Sequence, residues 1–179
     1  MDLKNLHERR HPILIAASLI RYSIAINHQD ILAAEDIINS LEKVTTVNDS
    51  TVVSLRAKQA IYEFETNSKT IEETYDLVEA SCQLIDNALL SESLKLKMIE
   101  SITSYDLVRS SNLFSQLIPP DRFARTKTSL RYCARWWLLH AKFNPESEKS
   151  SIKESIARFR ESGCHNAAKQ LESQLHSLI

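Results

Sequence analysis

Histidine, cysteine and carboxylate side chains are the groups that could do acid–base, nucleophilic or metal chemistry, and in this 179-residue chain four sets of them invite inspection. Glu8 and His11 form a single Glu-x-x-His. A di-iron bundle needs two such pairs and two further carboxylates on facing helices, so this pair beside Pro12 makes no centre by itself. Glu72, Asp76 and Glu79 share a helical face and could gather a hard cation, but no histidine accompanies them, and the pattern reads as a solvated acidic stripe. Cys133 and His140 lie seven residues apart on a face that also carries Trp137 and Ala141. On such a core-like face a thiol is inert and an imidazole finds a hydrogen-bond partner. Cys164 precedes His165, yet activation of a thiolate needs spatial contact and an orienting third group, which adjacency does not supply. The chain therefore reads as non-catalytic, with no metal and no cofactor.

The segment 122–142 carries the strongest binding chemistry. Arg122, Arg125, Lys127, Arg131, Arg135 and Lys142 occur there without an acidic residue, interleaved with Phe123, Tyr132, Trp136 and Trp137 and followed by Phe143. Leu130, Ala134, Trp137 and Ala141 form one apolar stripe at helical spacing, and Tyr132, Trp136, Leu139 and Phe143 form a second on another flank. Both can be buried only if helices lie on both sides. Arg122, Arg125, Lys127, Arg131, Arg135 and Trp136 are the expected partner-binding residues, because an aromatic ring beside guanidinium groups is enriched at interface hot spots and also stacks on single-stranded bases. The competing reading makes Trp136 core, with the arginines snorkelling over it toward acidic helices.

The elements that must position these residues are helices. The chain has one glycine, Gly163, so the positive-φ positions that hairpins, phosphate loops and dinucleotide folds take from glycine are all but absent. With 43% hydrophobic residues it can bury a continuous core, and its length fits a single all-helical domain over 1–179 with residues 1–11 as a flexible N-terminus. Net charge is -1, unevenly spread: residues 30–92 hold thirteen acidic against four basic side chains, and 93–142 hold nine basic against three acidic. Cys82, Cys133 and Cys164 are widely spaced, with no Cys-x-x-Cys, which suits a reducing compartment; Cys82 and Cys133 sit on apolar stripes and are expected to be buried. Asp2, Glu8 and Arg21 break any resemblance of the N-terminus to a signal peptide, and no apolar run is long enough to span a membrane. A soluble intracellular protein, cytoplasmic or nuclear, is expected.

Helix starts are well marked. Pro12 suits a first turn, opening a helix to Ile26 that is apolar on nearly every side; it calls for cover on more than one flank, from neighbouring hairpins or from a second copy of the chain in a homodimer. Asp30 caps the next helix, to Val44, and Thr70 with Glu73 makes a capping box ahead of the stripe Ile71, Tyr75, Val78 and Cys82. A break is expected near 104. Pro119 and Pro120 end that region, and Asp121 opens the longest pattern in the chain, to Phe143. Asn144 and Pro145 start the following helix, and Gly163 ends it in the left-handed conformation, for a total of eight or nine helices.

Two runs, Tyr22 to Leu41 with Ala34 after the polar turn, and Phe159 to Leu175 with Gly163 in the turn and Ala167 and Ala168 after it, resemble tetratricopeptide-type hairpins. The family's small residue in the first helix of each repeat and its closing proline are missing, so the expected fold is all-α, either a divergent α-solenoid of stacked antiparallel hairpins or an irregular helical bundle. The resemblance implies a scaffold for a protein or peptide partner, an adaptor without catalysis. A nucleic-acid-associated regulator using the basic segment 122–142 is the alternative.

Overall fold

The computed structural model describes the backbone of residues 3–45 and 49–177 and the side chains of 12–45 and 49–175; among them are nine α-helices and no strand. The side chains of Glu8 and His11 lie outside the described residues. The helices are α1 (Leu3–Asn27), α2 (Ile31–Glu42), α3 (Ser50–Glu65), α4 (Ile71–Leu84), α5 (Ala88–Ile102), α6 (Leu107–Phe114), α7 (Lys127–Phe143), α8 (Glu148–Glu161) and α9 (His165–Ser177). No described helix is long and apolar enough to cross a membrane. The chain divides into two compact units, Met1–Asp86 and Asn87–Ile179.

In the first unit α1 and α2 form an antiparallel hairpin, and α3 pairs with α4. Asp30 caps α2 by accepting the Ala33 N–H at 2.9 Å, and Thr70 and Glu73 close a reciprocal capping box on α4. The core gathers Tyr22 and Ala25 of α1, Ala34, Ile37, Ile38 and Leu41 of α2, and Val52 and Leu55 of α3. The Tyr22 hydroxyl, buried with them, donates to the Leu55 carbonyl at 3.3 Å. One expectation for α1 is corrected. It begins at Leu3, with Pro12 inside it, where the ring removes one N–H donor from the ladder rather than opening the first turn. Of the cover expected for α1, the first unit supplies one side, leaving Ile13, Leu14, Ile20 and Ile24 exposed.

The second unit starts where Asn87 caps α5, and the chain breaks after Ile102 before Asp106 caps α6, as the serines and polar residues near 104 suggest. Pro120–Arg122 is a single 3-10 turn, and α7 begins only at Lys127. The expected start at Asp121 is therefore corrected: Thr126 accepts the Ser129 N–H at 3.1 Å while Ser129 Oγ accepts the Thr126 N–H at 2.8 Å, a capping box that sets the true boundary. The consequence is positional, because Arg122 and Arg125 lie ahead of the helix and not along it. α8 packs along α7 and pairs with α9 across Gly163, whose φ of +84° is the left-handed turn expected of the chain's only glycine.

Candidate functional site

Helix α7 is buried from two sides, and this places its aromatic residues. Tyr132 and Leu139 join Leu96 and Ile99 of α5, Phe114 of α6 and Leu117 in one core, with Phe123, Trp136 and Phe143 packed against it. On the opposite flank Ala141 meets Ile152 and Ile156 of α8 and Ala168 of α9. Both stripes read from the sequence are thus covered by different neighbours, as an α7 with two apolar flanks requires.

The segment entering α7 is held from below. Ile118 donates its N–H to Glu92 Oε2 at 2.7 Å, and its carbonyl accepts the Tyr132 hydroxyl at 2.8 Å. Glu92 is buried on α5, with its other oxygen on Lys95 Nζ at 2.8 Å. Two buried side chains from two helices therefore satisfy both backbone groups of one loop residue, and Pro119 and Pro120 follow directly from that fixed point. Burial raises the Tyr132 hydroxyl far above its ordinary pKa, and the Glu92 carboxylate adds to the effect, so the phenol stays a proton donor to Ile118.

Above this loop is a cavity of about 550 Å³, within the size range of ligand-binding clefts. Pro119, Pro120, Phe123, Leu130, Trp136 and Trp137 supply its apolar lining, and Asp121, Arg125, Ser129, Cys133 and Arg158 its polar groups. The two tryptophans meet edge to face at 5.1 Å, and Trp136 also stacks on His140 and leans on Phe114. The Trp136 indole N–H is buried and has no acceptor. A buried indole ordinarily finds one; Gln59 Oε1, Tyr62 Oη and Ser155 Oγ are likewise buried without a partner among the described residues.

The guanidinium groups at the cavity are shared with carboxylates. Arg125 meets Glu161 at 2.6 Å, and Arg158 meets Glu161 and Glu154, each at 3.1 Å. The Arg125 hydrogen bond, helped by that of Arg158, holds the Glu161 carboxyl below the ordinary carboxylate range. Arg125 remains 67% exposed, so its ion pair is worth little and a second carboxylate can replace Glu161 at small cost. Burial pushes the Cys133 thiol up, against the Arg158 guanidinium and the Trp137 side chain, which favour thiolate.

The six sequence-predicted residues do not form one patch. Arg125 and Trp136 line the cavity, while Arg122, Lys127 and Arg131 are exposed near or on α7. Arg135 is half-buried and makes a bidentate ion pair with Glu100 of α5, its Nε at 2.9 Å from Oε1. Trp136 is half-buried among aromatic rings rather than displayed beside Arg131 and Arg135. The other nine lining residues lie outside the predicted set: Pro119, Pro120, Asp121 and Phe123 from the loop ahead of α7, Ser129, Leu130, Cys133 and Trp137 from the face of α7 that turns to it, and Arg158 from α8, which no period of the basic segment reports.

Among the described residues no three His, Cys, Asp or Glu side chains are grouped as a metal ion would require, and Glu72, Asp76 and Glu79 are exposed on α4. Cys82 and Cys133 are half-buried, which corrects the expectation of full burial: Cys133 borders the cavity rather than lying sealed beneath α8. His140 bonds Ser151 Oγ through Nδ1 at 2.9 Å, and desolvation holds its pKa below the ordinary histidine value. Compared with protein-family models, curated proteins and solved structures, the chain matches none of them.

Proposed function

We propose that this chain is a non-catalytic adaptor that binds a protein or peptide partner through the cavity ahead of α7. The observation that carries the reading is the cavity itself: an aromatic and proline lining beside an exposed arginine whose carboxylate is exchangeable. An apolar anchor side chain of the partner would enter between Phe123, Leu130 and Trp137, and a neighbouring Asp or Glu would take Arg125 from Glu161. Aromatic and arginine residues around a desolvated anchor are the usual composition of interface hot spots. The exposed cations Arg122, Lys127 and Arg131 would then speed encounter with an acidic partner more than hold it. Nucleic acid is the weaker reading, because Arg135 and Arg158, the less exposed guanidinium groups, are already paired with carboxylates.

Selection of displayed peptides on the immobilised full chain tests this. Sequences with an apolar anchor next to Asp or Glu are expected, losing at least about tenfold in affinity on Arg125→Glu. A selected set without such an anchor, or binding indifferent to both Arg125→Glu and Leu130→Glu, contradicts the proposal. Tight, steeply salt-dependent binding of a mixed-sequence oligonucleotide in place of peptides would contradict it too.

A further inference from the structure

The outer face of α1 lies in the other unit and is independent of the cavity. Its exposed apolar residues Ile13, Ala17, Ile20 and Ile24 are spaced four, three and four apart, the a/d alternation of a coiled-coil seam. They run along the side opposite Ile15, Leu19, Tyr22 and Ile26, which face the core of the first unit. Ile13, Ile20 and Ile24 are 71%, 63% and 52% exposed, and Leu14 beside them is 52% exposed. Large aliphatic side chains at that spacing, all in water, form an interface still lacking its other half.

We propose that this face pairs with α1 of a second copy of the chain, antiparallel, about a twofold axis at the level of residues 18 and 19. The spacing is self-complementary about that point. In an antiparallel pair Ile13 faces Ile24 of the other copy, and Ala17 faces its Ile20, so each small side chain receives a large one and every contact occurs twice, as an isologous interface demands. A parallel pair would set Ala17 on Ala17 and leave a gap at the centre. Arg21 is the only charged residue from Ile13 to Ile24, and in the antiparallel register it flanks Leu14 of the partner copy rather than another arginine. A twofold contact takes Ile13, Ala17, Ile20 and Ile24 of both copies out of water at once, and burial of apolar surface is what drives such association.

Sedimentation velocity of the full chain between about 1 and 100 µM is the test. The expected result is a species of twice the 20.5 kDa chain mass, with Ile20→Glu and Ile13→Glu each weakening association at least about 100-fold at unchanged helix content by circular dichroism. Should either variant lose helix, oxidative cross-linking decides: Ile13→Cys/Ile24→Cys should form intermolecular disulfides well above the wild-type background, and Ile13→Cys alone should not. A wild-type chain that stays monomeric at 100 µM, or a dimer indifferent to both glutamates, overturns the proposal. So does cross-linking of Ile13→Cys as efficient as that of the pair, and so does a monomer that instead co-sediments with phosphatidylserine vesicles through this face.

Discussion

α1 and α7 carry the same kind of sequence, apolar on two flanks, and their fates differ. The second stripe of α7 is covered by α5 and α6 while α8 and α9 take the first, so Tyr132, Leu139, Ala134 and Ala141 are all buried. The second stripe of α1 receives no such cover, and Ile13, Ile20 and Ile24 stand in water. The difference teaches that two apolar stripes state a demand for two neighbours without saying who supplies them. Around α7 the neighbours come from its own unit, and their imperfect closure over Trp136 and Trp137 leaves a cavity. At α1 the first unit supplies no second neighbour.

The largest expected effect separates the two helices directly. Leu139→Ala, on the covered stripe of α7, should cost about 3 kcal/mol in urea unfolding, whereas Ile20→Ala, on the open stripe of α1, should cost less than about 0.5 kcal/mol in the dissociated chain. Comparable losses at both would mean that the open stripe is covered in solution even in a monomer.

Next comes the loop beneath the cavity. Glu92→Ala removes the acceptor of the Ile118 N–H and should destabilise by about 2 kcal/mol, with a matching loss of peptide binding because Pro119 and Pro120 lose their fixed point. Stability lost with binding retained would detach the cavity from the loop.

A smaller effect distinguishes the two arginines of α7. Arg135→Glu breaks the half-buried pair with Glu100 and places two carboxylates together, costing about 1 kcal/mol, while Arg131→Glu should stay within about 0.5 kcal/mol. Equal costs would show that the Glu100 pair contributes nothing.

The smallest effect is on pH. Desolvation holds the folded pKa of His140 below its ordinary value of 6.5, so the unfolded chain takes up the proton first. The stability contributed by the neutral ring is fully present above pH 6.5 and is lost as pH falls below it. Denaturation midpoints measured down to about pH 5 should show this slope, and His140→Gln should flatten it.

Much of this fold was legible in local chemistry. Asp30, the Thr70–Glu73 pair and Gly163 act through neighbours three or four residues away, and each does in the structure what its type and position suggest. The start of α7 is not legible in the same way, because the run from Asp121 contains nothing that forbids a helix, while the competing cap, Thr126 with Ser129, replaces the usual glutamate by a serine. The cavity was half legible. Arg125 and Trp136 belong to the basic aromatic segment, but Arg158 reaches it from α8, and Glu92 secures its floor from 26 residues before Ile118. No periodicity reports such pairings, since they are set by which helices become neighbours. Arg135 shows the same limit: its charge was visible, and its partner Glu100 on α5 was not.

The cavity as the partner site is tested most directly by the indole N–H resonances of the ¹⁵N-labelled full chain. It has two tryptophans and both line the cavity, so two signals report on it, assigned by Trp137→Phe. Titration with a selected peptide carrying an apolar anchor beside Asp or Glu should move both signals along saturating curves, with the midpoint at least about tenfold higher in Arg125→Glu. Saturating binding of that peptide with neither indole signal displaced would contradict the account.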